Sequence, residues 1–127
     1  MTKSANYRAT FVKGSRDFSV KERLMYKDFT AAVQVEDVIK EDGTIKVVDW
    51  AIYDVLNEAL DNPEYTKYVL IDEDGSSYVT GSPSFWKEFM MIWEELENAN
   101  ELEGMEIKPY KAPSKNYNGE FITCRLV

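Results

Sequence analysis

A chain of 127 residues with 44% hydrophobic and 30% charged side chains has the size and composition of one globular domain able to bury a single core. One cysteine excludes an internal disulfide and points to a reducing compartment, and the absence of histidine removes the commonest general base and metal ligand. No apolar run serves as a signal peptide or a bilayer span, so the cytoplasm is the expected compartment, the host's if the chain is phage-encoded, and no membrane partner is expected.

The net charge of −8 argues against a nucleic-acid partner, but its distribution argues differently. Residues 1–27 hold seven basic side chains against two acidic, a balance of +5, and residues 105–127 hold four against two, a balance of +2. The stretch between them holds four basic against nineteen acidic, a balance of −15. If the two ends meet in space, the fold presents a positive surface on one side, and a phosphate backbone responds to that local field rather than to the total.

Residues 7–13 have strand character and end at Gly14-Ser15. The following stretch, 16–29, mixes basic and aromatic residues without a clean period and reads as a short helix around 20–26 or an ordered arm. From 30 to 39, Val33 and Val35 fall on one face of an expected strand, and Glu41-Asp42-Gly43 reads as a turn. Residues 45–55 are rich in β-branched and aromatic side chains and read as a long strand; a helix over 50–60, carried by Leu56, Ala59 and Leu60, is the competing assignment. A loop at 61–64 leads to a strand at 65–71, an acidic turn at Asp72-Glu73-Asp74-Gly75 and a return strand at 77–80.

The clearest element is a helix over 84–97. Ser82 and Ser84 are candidate caps, Pro83 suits a first helical turn, and Phe85, Phe89, Ile92, Trp93 and Leu96 recur at three- and four-residue steps, widened by Trp86 and Met90. Strands at 105–112 and 120–127 close the chain around a polar loop. Three strands, a helix and two strands are the element order of an OB-fold, a five-stranded Greek-key barrel with its helix between the third and fourth strands. The expected fold is therefore mainly β with one helix, a single OB-like domain over 1–127, with 1–29 as its basic N-terminal strand or arm.

No constellation points to an enzyme. Cys124 alternates into a terminal strand among apolar residues and reads as a small buried filler, and no pair among the many carboxylates stands out. The acidic turn fails as a calcium loop: with Asp72, Asp74 and Ser76 as first ligands, the glycine position is Ser77 and the closing glutamate position is Pro83. No metal site and no cofactor are expected.

Aromatic residues beside basic ones are the remaining signal, since single-strand binders stack bases on aromatic faces at roughly 1–3 kcal/mol each while lysines and arginines follow the phosphates. The candidate phosphate contacts are Arg8, Lys13, Arg16, Lys46, Lys67, Lys108, Lys111 and Lys115. Trp50, Tyr53, Tyr68, Tyr110 and Tyr117 are the candidate stacking residues. Tyrosine is also an ordinary sheet residue with a wet hydroxyl end, so each pair by itself has a purely structural explanation.

Residues 111–127, Lys-Ala-Pro-Ser-Lys-Asn-Tyr-Asn-Gly-Glu-Phe-Ile-Thr-Cys-Arg-Leu-Val, preceded by Tyr-Val-Thr-Gly-Ser-Pro-Ser-Phe-Trp at 78–86, resemble small single-stranded DNA-binding proteins of phages and related mobile elements. The resemblance spans about residues 65–127. It implies an OB-fold that coats unpaired DNA without sequence preference in replication or recombination, with replication or recombination proteins as further partners and self-association compatible with the role. Many cellular proteins of this functional class end in a flexible acidic tail that recruits partners; here Leu126-Val127 fall in an expected strand, so recruitment through such a tail is not expected. The alternative expectation is a small acidic phage-type protein that binds or inhibits a host protein, its −15 middle section facing a basic partner.

Overall fold

The computed structural model describes residues 6–115 and 119–127. Its elements in chain order are β1 (Tyr7–Gly14), α1 (Val20–Tyr26), β2 (Val33–Gln34), α2 (Val35–Lys40), β3 (Ile45–Asn57), β4 (Glu64–Asp72), β5 (Ser77–Thr80), α3 (Pro83–Asn98), β6 (Glu106–Pro113) and β7 (Glu120–Leu126). The strands form one curled, open, mixed sheet, a half-barrel in the order β2-β5-β4-β3-β6-β7, with β1 also paired to β3. Mainly β, with barrel-like curvature, agrees with the sequence reading. The described residues carry seven strands and three helices, where five strands and one helix were expected.

β3 organises the sheet. Along one edge it pairs antiparallel with β4 from Val47 to Leu56. Its other edge is shared: Ile45 and Lys46 pair with Ile107 and Glu106 of β6, and 51–57 pair with β1. The register shifts between Val47 and Asp49, and Val48 stands out into solvent there, as the extra residue of a bulge does. The strand at 45–55 thus forms, and the competing helix does not: a residue run that can be buried on both faces favours a central strand.

Both faces are indeed covered. On one, Trp50 and Leu70 pack with Ile45, Val47, Ile107 and Cys124 against Phe85, Trp86, Phe89 and Trp93 of α3, and Val35 and Val38 of α2 close the same core. Trp86 meets Trp50 edge-on with centroids 5.4 Å apart and stacks on Tyr68 at 4.7 Å. Each of these large side chains contributes about 1.5–3 kcal/mol by leaving water. On the opposite face, Ala51, Tyr53, Val69, Ile71 and Val79 pack against Phe18 and Tyr26, with Phe11 and Phe29 alongside. The N-terminal segment is therefore built into the second core, with β1 where a strand was read at 7–13 and α1 where a short helix was read around 20–26.

Local chemistry explains the boundaries. Ser19 and Glu22 form a capping box at the start of α1, each side chain accepting from the other's backbone N–H. Ser82 caps α3 by accepting from the Phe85 N–H, with Pro83 opening the helix. The second serine ties the helix to the sheet instead, its Ser84 hydroxyl donating to the Ile122 carbonyl of β7 at 2.8 Å. In the β4–β5 turn the Asp72 carboxylate accepts from the N–H groups of Asp74 and Ser76, and Gly75 supplies a positive φ of 83°.

The expected strand over 30–39 is corrected. Only Val33 and Gln34 are extended, pairing parallel with Tyr78 and Val79, and the chain then turns into α2. Val35, Val38 and Ile39 lie at helical spacing and face the α3 core, which outweighs the β-propensity of valine and isoleucine. This β2 segment also occupies the outer edge of β5, and α3 lies against β7, so β5 and β7 do not pair and the sheet stays open. Among the described residues no helix is long and apolar enough to cross a membrane.

Candidate nucleic-acid interface

Past Ile107, β6 runs on beyond the start of β3 and pairs only with β7, so the two strands form a projecting ribbon. Ile107, Pro109 and Cys124 point into the α3 core. Alternation then sends Lys108, Tyr110 and Ala112 of β6, with Phe121, Thr123 and Arg125 of β7, to the opposite face. Lys108 sits opposite Arg125, Tyr110 opposite Thr123, and Ala112 opposite Phe121, which makes Tyr110 and Phe121 diagonal neighbours. Both rings are open to solvent, at 37% and 40% exposure. Lys46, exposed and paired in register with Glu106, extends this face onto β3.

The ribbon's charge is partly held in check. Lys108 donates to Asp42 at 2.7 Å, reaching the turn that ends α2. That bond, the Lys108 charge and more weakly Arg125 hold the Asp42 carboxyl below the usual aspartate range. Asp42 itself is held in a left-handed conformation, φ 55°, with Gly43 following. Lys46 has Glu73 at 4.0 Å. Lys111 and Lys115 are exposed, Lys111 on the other face of β6 and Lys115 in the loop beyond it.

Of the residues singled out in the sequence, Lys46, Lys108, Tyr110, Lys111 and Lys115 therefore gather on and around this ribbon. Tyr117 lies outside the described residues. The others are elsewhere. Trp50 and Tyr53, at 4% and 0% exposure, are corrections: they fill the two cores, and neither offers a face to a base. Tyr53 instead donates its hydroxyl to the Arg23 carbonyl of α1 at 2.7 Å, and burial pushes its pKa up to about 12. Tyr68 is half-buried under Trp86, and Lys67 lies 5.8 Å from the Tyr65 ring.

Arg16 is engaged twice, with Glu22 and with Asp49, and its guanidinium covers the Phe18 ring, so it fastens the segment before α1 to β3. Arg8 and Lys13 are exposed on β1, but Arg8 lines an open pocket with Asp54 and Glu64 and pairs in register with Leu56, at the far end of β3 from Ile45. Eleven residues of strand separate those positions, about 36 Å of path. The two basic ends of the chain thus share one edge of β3 without merging into one patch. Sequence reasoning missed Phe121 and Arg125; their alternation with Thr123 was legible, but which face would be solvent depended on where α3 packs.

Among the described residues no group of three or more cysteines, aspartates or glutamates is arranged to hold a metal ion. The geometry offers aromatic faces between cations on a projecting ribbon, an arrangement suited to binding. Comparison with protein-family models, with curated proteins and with solved structures finds no match to this chain.

Proposed function

We propose that this protein binds single-stranded DNA without sequence preference through the solvent face of the β6–β7 ribbon, coating unpaired strands in replication or recombination. The observation that carries the reading is the exposed diagonal pair Tyr110 and Phe121 set beside Lys108 and Arg125. Two bases stack on the rings while the cations and Lys46 follow the phosphates, with Lys111 and Lys115 at the flank. The order of the last six elements supports it as well. β3, β4 and β5, then α3, then β6 and β7 follow the OB-fold sequence, and the β6–β7 loop corresponds to one of that fold's two binding loops.

The test is fluorescence anisotropy with a fluorescein-labelled oligo-dT of about 30 nucleotides. With Lys108 held by Asp42, the four other cations predict a log–log salt slope of about −2.8, a loss of roughly 50-fold in affinity between 50 and 200 mM salt. Absence of binding at the lower salt would end the reading. A matched oligo-rU separates DNA from RNA preference.

A further inference from the structure

A second open pocket, of about 430 Å³, lies where β3, the end of α3 and the segment leading into β6 meet. Its apolar lining comes from Val47 and Trp93, both buried, with half-buried Leu102 and exposed Val48. Four carboxylates share that lining: Asp49, Glu73, Glu97 and Glu103. The pocket is built by the fold. The β3 bulge turns Val48 outward, and Gly104 takes a positive φ of 77° to bring the chain back from α3 into β6.

An arginine already approaches one side of it: Arg16 donates to Asp49 at 3.0 Å, its guanidinium lying over the Phe18 ring. On another side Glu73 has Lys46 at 4.0 Å. Glu97 and Glu103, both exposed, have no ion-pair partner among the described residues. Apolar walls with unpaired carboxylates at the mouth suit a side chain with an aliphatic stem and a cationic head. The volume is within the range of sites that enclose a small group. An anionic nucleic acid is repelled here, and a second copy of the chain carries the same net charge of −8.

We propose that this pocket receives an arginine or lysine side chain from a basic segment of a partner protein. The lining carboxylates Glu97, Glu103 and, in the β4–β5 turn, Glu73 draw the segment in, and the apolar lining holds the stem. This site adjoins the ribbon's cations through the Lys46–Glu73 contact but lies apart from the Tyr110 and Phe121 rings, and its peptide binding is read independently of oligo-dT binding.

The probe is a fluorescein-labelled peptide of about nine residues alternating arginine and alanine, titrated by anisotropy into the full chain. Charge alone cannot decide the matter, so two charge-matched variants are compared. Glu97→Gln with Glu103→Gln removes two lining carboxylates and is expected to weaken binding by about tenfold, whereas Glu94→Gln with Glu95→Gln, on the same helix but outside the pocket, changes it by less than about twofold. Val48→Arg places a cation at the mouth and is expected to abolish binding, with the thermal transition checked to show that the variant folds. Equal losses in the two double variants, or no binding of the peptide to the native chain, overturn the proposal. So does concentration-dependent self-association in sedimentation velocity that Val48→Arg removes, because that assigns the pocket to a second copy.

Discussion

Replacing Asp42 by asparagine is expected to make the protein bind single-stranded DNA more tightly. Asp42 takes up one cation of the ribbon through its 2.7 Å contact with Lys108, whose side chain is 26% exposed, and it also feels Arg125. Asparagine keeps the shape of the side chain and is among the residues that best tolerate the left-handed backbone found at φ 55°. The Asp42 side chain is 84% exposed, so its ion pair contributes little to folding and the melting temperature should move by no more than about 2 °C. With Lys108 neutralised by Asp42, four free cations give a salt slope of about −2.8, and freeing Lys108 raises the number to five and the slope to about −3.5. Removing a like charge beside the phosphates should also tighten binding by about two- to fourfold at low salt, fading as salt screens it. Anisotropy titrations of labelled oligo-dT at several salt concentrations read both quantities. A gain in affinity cannot arise from misfolding. Unchanged or weaker binding by a variant with native circular dichroism would refute the placement of the interface on this ribbon.

Truncating the exposed rings, Tyr110→Ala and Phe121→Ala, is expected to weaken oligo-dT binding by about 5- to 150-fold each, the equivalent of one stacked base, while leaving the salt slope unchanged. Tyr53→Phe removes the hydrogen bond from the sheet to the Arg23 carbonyl, which still accepts from the Lys27 N–H, so denaturant titration should show a loss of about 1 kcal/mol. Glu22, held by Arg16 and by the Ser19 backbone, has its pKa lowered to about 2. Its contribution is therefore complete above the ordinary carboxylate range and is lost as pH falls from about 4 toward 2. Far-ultraviolet circular dichroism across that window should show a transition that Glu22→Gln moves to higher pH. Burial, helped by the Glu88 charge, pushes the Cys124 thiol up to about 12, so it stays protonated and closed to reagent. Ellman's reagent at about pH 8 should find no thiol in the native chain and one after unfolding.

Several elements were legible because their causes are local. Ser82 and Pro83 at the start of α3, followed by aromatic residues at helical spacing, place that helix to within a residue of its observed ends. The Asp-Gly signal at 74–75 marks the β4–β5 turn because Gly75 supplies its positive φ, while the carboxylate of Asp72 accepts its hydrogen bonds. Val35, Val38 and Ile39 were readable as a helical face too, but a run rich in β-branched residues hid the period, and only contact with α3 makes the helix favourable.

The candidate site divides along the same line. Residue types and their order in the sequence determined that basic and aromatic side chains crowd the C-terminal strands, that a heavily apolar helix precedes them, and that the middle of the chain is acidic. The tertiary structure decided which of those side chains meet solvent. Trp50 and Tyr53 are lost to the cores because α3 and α1 cover opposite faces of β3, while Tyr110, Phe121 and Arg125 stay exposed because α3 packs on the other face of the ribbon. A strand's two faces are chemically alike until another element buries one of them, and that burial is set by contacts between residues far apart in sequence.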